Sequence, residues 1–289
     1  MPDRPGVVVA TLAASQAPLE FLASWGDMLQ YDAAGPGYIL PPGGTMKMTS
    51  GPRIAEARSQ LVDTFFEEEA FKGAEWLLMI DSDMVFKPTL VDQLMEVADP
   101  ETVPILGGLC FAGGRDHDPY PTIYREVHTI GDDGKPFVAI QPYREYPRDS
   151  LVKVGGTGAA CLLVHRQVFI AMSHPHPKGF GTKPDGSKNP YPWFVEGLVA
   201  PNGEPIGEDI AFCRRATGLG IPIHVHTGIK LGHMKQYTLD EAWFDASRGA
   251  REDAEAKLVV EQESLPEAKP NRAARRDAAR KKLKQEVPA

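Results

Sequence analysis

Residues 76–86, W-L-L-M-I-D-S-D-M-V-F, constrain the fold more than any other part of this sequence. The apolar run at 76–80 is too short for a typical helix, and it is typical of a strand buried on both faces of a parallel sheet. Asp81 and Asp83 follow at once. If the chain stays extended there, the two-residue period of a strand places both carboxylates on one side.

Two carboxylates that lie close together repel each other unless a positive group lies between them. Mg²⁺ or Mn²⁺ is the simplest candidate, because these cations favour carboxylate oxygens and complete their shell with water and substrate phosphates. A strand that ends in a solvated acidic turn would be the better explanation of an isolated D-x-D. The apolar run in front of Asp81 and Asp83 favours a site.

Composition limits the possible classes of protein. A chain of 289 residues with 42% hydrophobic residues can bury a sizeable core. Its net charge of -8 argues against general nucleic-acid binding. The three cysteines are few and widely spaced, which is typical of reduced thiols. Since no signal peptide is recognisable and no apolar run approaches the ~18 residues that span a bilayer, we expect a cytoplasmic protein without a membrane span.

The first third of the chain has the alternating pattern of an α/β protein. It predicts a strand at 6–12, an amphipathic helix at 18–31, a Gly- and Pro-rich loop at 35–51 with a short strand at 38–40, and a helix at 52–71. Arg58 lies on the last of these helices. Two explanations remain open for it: a surface charge, or a group that holds a phosphate or a base.

The middle of the chain is richer in short strands and glycine. It predicts a helix at 88–98, a strand at 105–111, a loop at 112–121, strands at 120–127 and 137–141, and two short strands within 151–164. Gly155, Gly156 and Gly158 interrupt that last segment. Such glycines permit a bulge or the close approach of a ligand to the backbone, and their spacing matches neither a Walker loop nor G-x-G-x-x-G.

A second acidic feature lies near the end of the body of the protein. The string G-E-D-I-A-F-C-R-R-A places Glu208 and Asp209 in the first turn of a helix, where the helix dipole alone would also favour acids. A strand at 221–227 carries His224 and His226, and a Gly-containing loop carries His233. Each histidine is a candidate ligand only, because a lone histidine is more often a packing or surface residue.

Two segments have no periodicity that indicates a packed element. Residues 174–192 are rich in Pro, Gly and Lys, and we expect a mobile loop of the kind that closes over a substrate. Ala, Glu, Lys and Arg dominate from residue 240 onward, and residues 272–284 are basic. We therefore predict a body at 1–238 and a charged helical or disordered tail at 239–289, which is solvated or touches an anionic partner.

The order of these motifs resembles that of nucleotide-sugar glycosyltransferases of the GT-A fold, especially bacterial and phage-encoded members. The resemblance covers roughly residues 6–235 and joins I-A-E-A-R-S-Q-L-V, D-S-D, G-G-T-G-A-A-C-L-L-V-H-R, E-D and L-G-H. It implies an α/β, Rossmann-like, mostly parallel central sheet flanked by helices. For a phage-encoded member, it also implies a location in the host cytoplasm.

The resemblance also implies a metal-dependent site and a nucleoside-diphosphate sugar as the donor. Asp83 matches the direct ligand of Mn²⁺ or Mg²⁺, Asp81 matches a group that contacts ribose, metal or both, and His233 matches a further ligand. Thr11 and Arg58 match positions that line the nucleotide pocket.

The remaining correspondences concern sugar transfer. Glu208 and Asp209 match the x-E-D element, in which the aspartate is usually the base of inverting enzymes. Gly156 lies in the segment that approaches the donor sugar and the acceptor. The acceptor itself, a glycan, a protein or a small molecule, is not readable from the sequence.

Two other functions fit parts of the pattern. D-S-D-M-V also satisfies the D-x-D-x-T/V motif of haloacid-dehalogenase-like phosphatases, with Asp81 as nucleophile and Asp83 as general acid. That motif normally ends the first core strand, whereas a strand and two helices are predicted to precede it here. A nucleotide-sugar-binding protein that retains the fold without catalysis is the non-enzymatic alternative.

Overall fold

The computed structural model describes residues 6–13, 16–40, 44–49, 53–114, 117–130, 134, 136–173, 193–200, 203 and 205–235. The loop predicted at 174–192 and the tail predicted at 239–289 lie outside the described residues, so both stay predictions. The same holds for the domain boundary at residue 238. No helix within the described ranges is long and apolar enough to cross a membrane.

Helices and strands alternate over roughly residues 6–109, as the pattern of the first third predicts, and strands then follow one another up to residue 165. The α-helices are α1 (Leu19–Ala34), α2 (Ile54–Glu67), α3 (Leu90–Met95), α4 (Arg166–Ser173) and α5 (Glu208–Gly218). The strands are β1 (Gly6–Ala13), β2 (Thr45–Thr49), β3 (Ala74–Asp81), β4 (Met84–Val85), β5 (Ile105–Leu109), β6 (Phe111–Gly114), β7 (His117–Pro121), β8 (Ile123–Ile130), β9 (Pro136–Pro142), β10 (Leu151–Val154), β11 (Gly156–Thr157), β12 (Cys161–His165), β13 (Leu198–Val199), β14 (Pro205–Ile206), β15 (Ile223–Lys230) and β16 (Gly232–His233).

A seven-stranded sheet with the order β10-β15-β5-β12-β3-β1-β2 forms the centre of the fold. Parallel pairing joins β1 to β2, β1 to β3 and β5 to β15. Antiparallel pairing joins β12 to both of its neighbours and β10 to β15. The strands other than β10 and β12 therefore share one direction, which confirms the predicted α/β class with a mostly parallel central sheet.

The core strand predicted from residues 76–80 is β3. Every side chain from Trp76 to Ile80 is at most 2% exposed. Alternate residues of the strand belong to two separate apolar clusters, one with α2, α4 and α5 and the other with α1 and α3. Helices therefore cover both faces of β3. The carboxyl end of the strand, with Asp81, lies at the edge of these two helical layers.

Some short elements were not predicted. The short strand predicted at 38–40 is only a bridge between Val7 and Ile39, and the strand beside β1 is β2. The sequence of β2, T-M-K-M-T, alternates as an edge strand does. The Gly and Pro residues around it led to the prediction of a loop. The loop predicted at 112–121 contains the antiparallel pair β6 and β7, and α4 was missed because it is only eight residues long.

The glycine-interrupted segment forms β10, β11 and β12 and lets other backbones come close. A Cβ atom at Gly155 would lie 2.9 Å from the backbone nitrogen of Glu126 in β8. At Gly156 it would lie 3.3 Å from the side chain of Ile210 in α5. These glycines therefore let β8 approach Gly155 and let α5 pack against Gly156, so that β11 lies between β8 and α5.

We predict opposite effects for two glycine-to-alanine substitutions. Gly155→Ala should lower the free energy of unfolding by about 1–3 kcal/mol, because its Cβ meets backbone that cannot rotate away. Gly26→Ala, in the exposed middle of α1 with open space around it, should raise that free energy by roughly 0.5–1 kcal/mol. Urea unfolding of both variants tests this. A Gly155→Ala protein as stable as the parent would contradict the close approach.

Candidate active site

The two aspartates of the D-x-D motif separate at the carboxyl end of β3. The extended geometry considered from the sequence does not occur, because residues 82–83 turn before β4. Met84 of β4 is fully buried and β4 pairs with β16, so the turn returns the chain to the core. Asp81 consequently contacts Arg58 of α2, whereas Asp83 contacts His233 of β16.

Asp83 and His233 form a close pair. The Nε2 atom of His233 lies 2.9 Å from Oδ2 of Asp83, and its Nδ1 atom lies 2.8 Å from the carbonyl oxygen of Phe111. Because a carbonyl oxygen can only accept, Nδ1 carries a hydrogen and Nε2 is turned towards the carboxylate. A histidine that binds a metal is commonly oriented in this way, with its other nitrogen donating to a backbone carbonyl.

The protonation of this pair follows from the contact between its members. The hydrogen bond to Asp83 raises the pKa of His233 above its ordinary value. Burial alone would raise the pKa of Asp83, but the hydrogen bond and the charge of His233 outweigh it and lower that pKa. Lys235 adds a second positive group near this carboxylate, with its Nζ atom 3.9 Å from Oδ2 of Asp83. Both pKa shifts favour an imidazolium beside a carboxylate.

Arg58 connects the end of β3 to the start of α5. It is 3% exposed, which excludes a surface charge, and its Nη2 atom donates to Oδ1 of Asp81 over 2.7 Å. Its Nη1 atom donates to Oε1 of Glu208. Burial would lower the pKa of Arg58, but the charges of Asp81 and Glu208 raise it, so the guanidinium is charged at any physiological pH.

The two acids at the start of α5 face different surroundings. Glu208 is committed to Arg58, whereas Asp209 lines a cavity of about 330 Å³ together with Tyr124, Ile140 and Arg214. Burial raises the pKa of Asp209, although the backbone N–H of Ile210, 2.7 Å from its Oδ1 atom, and the charge of Arg58 oppose that rise. Burial raises the pKa of Glu208 as well, and the charge of Arg58 opposes that rise. Of the two acids, Asp209 is the one that lines the cavity and can meet a group bound there.

Two residues of this cavity were not singled out from the sequence. Burial, with smaller effects of Tyr120 and Asp209, raises the pKa of Tyr124 to about 12, so its hydroxyl stays protonated. Arg214 lies in the R-R pair that follows the E-D element. The sequence signal for Arg214 is that it follows Asp209 by five residues. That spacing becomes informative once the structure shows that both residues line one cavity.

The other residues implied by the resemblance lie around this centre. Thr11 ends up on the α1 side of the sheet and Arg58 on the α2 side, because Ala10 and Leu12 belong to the α2 cluster and side chains alternate along β1. The hydroxyl of Thr11 is buried without a hydrogen-bond partner among the described residues. Gly156 is buried under α5.

His224 and His226 lie at one edge of the central sheet. They are opposite Lys153 and Leu151 of the edge strand β10. Of the histidines singled out from the sequence, His233 is thus the one that the structure brings to Asp83.

A divalent cation with few protein ligands fits this arrangement. The described residues contain no cluster of three or more His, Cys, Asp or Glu that could hold a metal, so Asp81 does not join the pair. Mg²⁺ sites, however, often use one or two protein ligands and take the rest from water and phosphates. The 2.9 Å between Oδ2 of Asp83 and Nε2 of His233 is the length of an ordinary N–H···O hydrogen bond. A cation held by both atoms would replace the proton between them.

Comparisons with known proteins give likenesses in structure only. No protein-family model matches the chain, and no curated protein matches its sequence. A197 from STIV is 13% identical over 80% of this chain and 86% of its own length, with a TM-score of 0.45. GalNAc-T7, solved with UDP, GalNAc and Mn²⁺, is 10% identical over 82% of this chain and 45% of its own, with a TM-score of 0.45.

A Drosophila β1,4-galactosyltransferase 7, solved with manganese, UDP-Gal and xylobiose, is 13% identical over 82% of this chain and 78% of its own length, with a TM-score of 0.38. Likeness at this level does not assign an activity. The function therefore has to be argued from the site itself.

We predict that Arg58 stabilises the fold through its buried ion pairs. Arg58→Met leaves Asp81 and Glu208 without their partner and should cost about 3–5 kcal/mol of unfolding free energy. Arg53→Met is the matched control, because the side chain of Arg53 is 77% exposed and its ion pair with Glu56 should contribute less than about 1 kcal/mol. If both variants lost the same free energy of unfolding in urea, the buried ion pairs would contribute no more to stability than the exposed one.

Proposed function

We propose that the chain is a metal-dependent glycosyltransferase of the GT-A type, which moves a sugar from a nucleoside-diphosphate sugar to an acceptor hydroxyl. The observation that carries the proposal is the pairing of Asp83 with His233 at the end of the central strand, with Nδ1 of the histidine held by Phe111. The cavity that Asp209 lines supplies a separate place for an acceptor.

Asp83 and His233 would hold Mn²⁺ or Mg²⁺ in this proposal. A cation held there supplies a Lewis acid that stabilises the negative charge of the departing nucleoside diphosphate. Asp81 is fixed by Arg58 through one carboxylate oxygen, and its side chain remains 29% exposed, so the second oxygen is free to contact ribose. Thr11 stays a predicted contact of the nucleoside, although its hydroxyl is buried on the α1 side of the sheet.

Asp209 would act as the base of an inverting displacement. Its carboxylate removes the proton of the acceptor hydroxyl while that oxygen attacks the anomeric carbon and the bond to the diphosphate breaks. The raised pKa of Asp209 brings its basicity closer to that of a working general base. Glu208 would not act as the base, because its side chain is engaged with Arg58 and does not line the cavity.

A screen of nucleotide sugars by thermal shift, with and without Mn²⁺, tests the donor. A ligand that binds only the native state raises the melting temperature, by an amount that corresponds to about 2.7 kcal/mol at one hundred times its Kd. We expect one donor to stabilise the protein, and only with the metal. Asp83→Asn should abolish this shift, because it removes a charged ligand.

The alternatives give different results in the same screen. A haloacid-dehalogenase-like phosphatase that uses Asp81 and Asp83 would release phosphate from simple phosphomonoesters and ignore nucleotide sugars. A non-catalytic binding protein would show the metal-dependent shift without transfer or hydrolysis.

We predict that Asp209→Asn separates binding from transfer. The variant should keep the donor-induced shift in melting temperature but lose about 10²–10⁴-fold of the turnover, because a positioned general base contributes that much. Asp27→Asn, an identical change on the exposed face of α1, is the matched control and should leave both unchanged. Turnover of nucleotide sugar by the Asp209→Asn variant at the parent rate would remove Asp209 from the mechanism.

A further inference from the structure

The cavity lined by Asp209 does not end at that residue. It shares Ile140 and Arg214 with a larger cavity of about 620 Å³. The larger cavity lies between β8, β9 and β10 and the carboxyl end of α5. Both volumes fall within the range of roughly 300–1,000 Å³ that is usual for ligand sites. The two cavities therefore adjoin at Ile140 and Arg214.

Arg214 lies where the two cavities meet. It is half-buried, and its Nη2 atom donates to the carbonyl oxygen of Val138 in β9 over 3.1 Å. A guanidinium has five N–H donors in a planar fork, so this bond leaves several of them available. Arg214 forms no ion pair with any described residue. It follows Asp209 by five residues, which is about 7.5 Å along the axis of α5.

Three of the four charged residues that line the larger cavity are cationic. Arg125, Lys153 and Arg214 line it together with one acid, Glu126. Within the part of the chain that the structure describes, neither Arg125 nor Lys153 forms an ion pair. In a protein with a net charge of -8, this local excess of positive charge attracts anionic ligands.

The other residues that line the smaller cavity can pack against the ring of a sugar. Tyr124 contributes an aromatic ring with a neutral hydroxyl, and apolar contacts come from Ala200, Pro205, Ile206 and Ile140. A mostly apolar wall with a few placed polar groups is the usual composition of a small-molecule site. The polar side-chain groups here are the carboxylate of Asp209, the hydroxyl of Tyr124 and the guanidinium of Arg214.

From this geometry we infer that Arg214 binds an anionic group of the acceptor, which is an acidic saccharide that carries a carboxylate or a phosphate. The inference rests on the proposed function, since the acceptor hydroxyl is the group that meets Asp209. The saccharide lies along Tyr124 and extends past Arg214 into the larger cavity. A planar guanidinium matches either anion through paired hydrogen bonds.

Binding of four probes to the full chain, in the presence of Mn²⁺ and UDP, tests the anionic subsite. The probes are methyl glucuronide, glucose 1-phosphate, glucose 6-phosphate and the uncharged methyl glucoside, and isothermal titration measures their Kd. We expect at least one anionic probe to bind about tenfold or more tightly than methyl glucoside, which is the usual advantage of a charge-assisted hydrogen bond. The comparison of glucuronide with the phosphates identifies the anion.

Arg214→Gln should remove that advantage and leave the binding of methyl glucoside unchanged. Arg144→Gln is the matched control, because Arg144 is exposed and lines neither cavity. Equal affinity for charged and uncharged probes would overturn the inference, and so would an advantage that persists in the Arg214→Gln protein or an absence of binding by every anionic probe.

A separate measurement distinguishes this inference from the proposed function. Release of nucleotide from nucleotide sugars is followed on the same proteins without any acceptor. If the charge preference depends on Arg214 but no donor is bound or cleaved, the anionic subsite stands and the glycosyltransferase proposal fails. If a donor is cleaved but the probes show no charge preference, only the inference about the acceptor fails.

Discussion

The ion pairs of Arg58 are the interaction on which the rest of the site depends. One buried guanidinium holds Asp81 at the end of β3 and Glu208 at the start of α5, so elements that are distant in sequence meet at one charge. A buried charge is costly unless it is paired, and removal of either partner leaves the other uncompensated. The positions of the D-x-D turn and of Asp209 are therefore coupled through Arg58.

The four acidic residues of the site differ in whether Arg58 is their partner. Asp81 and Glu208 are committed to Arg58, whereas Asp83 pairs with His233 and Asp209 faces a cavity. Asp81 and Glu208 hold the site in place through Arg58, and in the proposed mechanism Asp83 would bind the cation and Asp209 would receive the proton. A constellation held by buried contacts needs less reorganisation when a substrate binds, which is the general advantage of preorganised active sites.

Much of the fold could be predicted from the sequence, but less of the site. The apolar run at 76–80 identified the central strand, because a strand buried on both faces has a distinctive composition. The turn at 82–83 could not be predicted from local pattern, since it depends on the pairing of β4 with the distant β16. Arg214 was missed for the same reason. Its place in the cavity depends on a hydrogen bond to Val138 in β9, which is distant in sequence.

The most direct test of the account is a crystal structure with Mn²⁺ and either UDP or GDP, with data collected at the manganese absorption edge. The account predicts an anomalous peak bonded to the carboxylate of Asp83 and to Nε2 of His233, with diphosphate oxygens completing the shell and Nδ1 still held by Phe111. A manganese ion bound elsewhere, with the hydrogen bond between Asp83 and His233 intact, would contradict it.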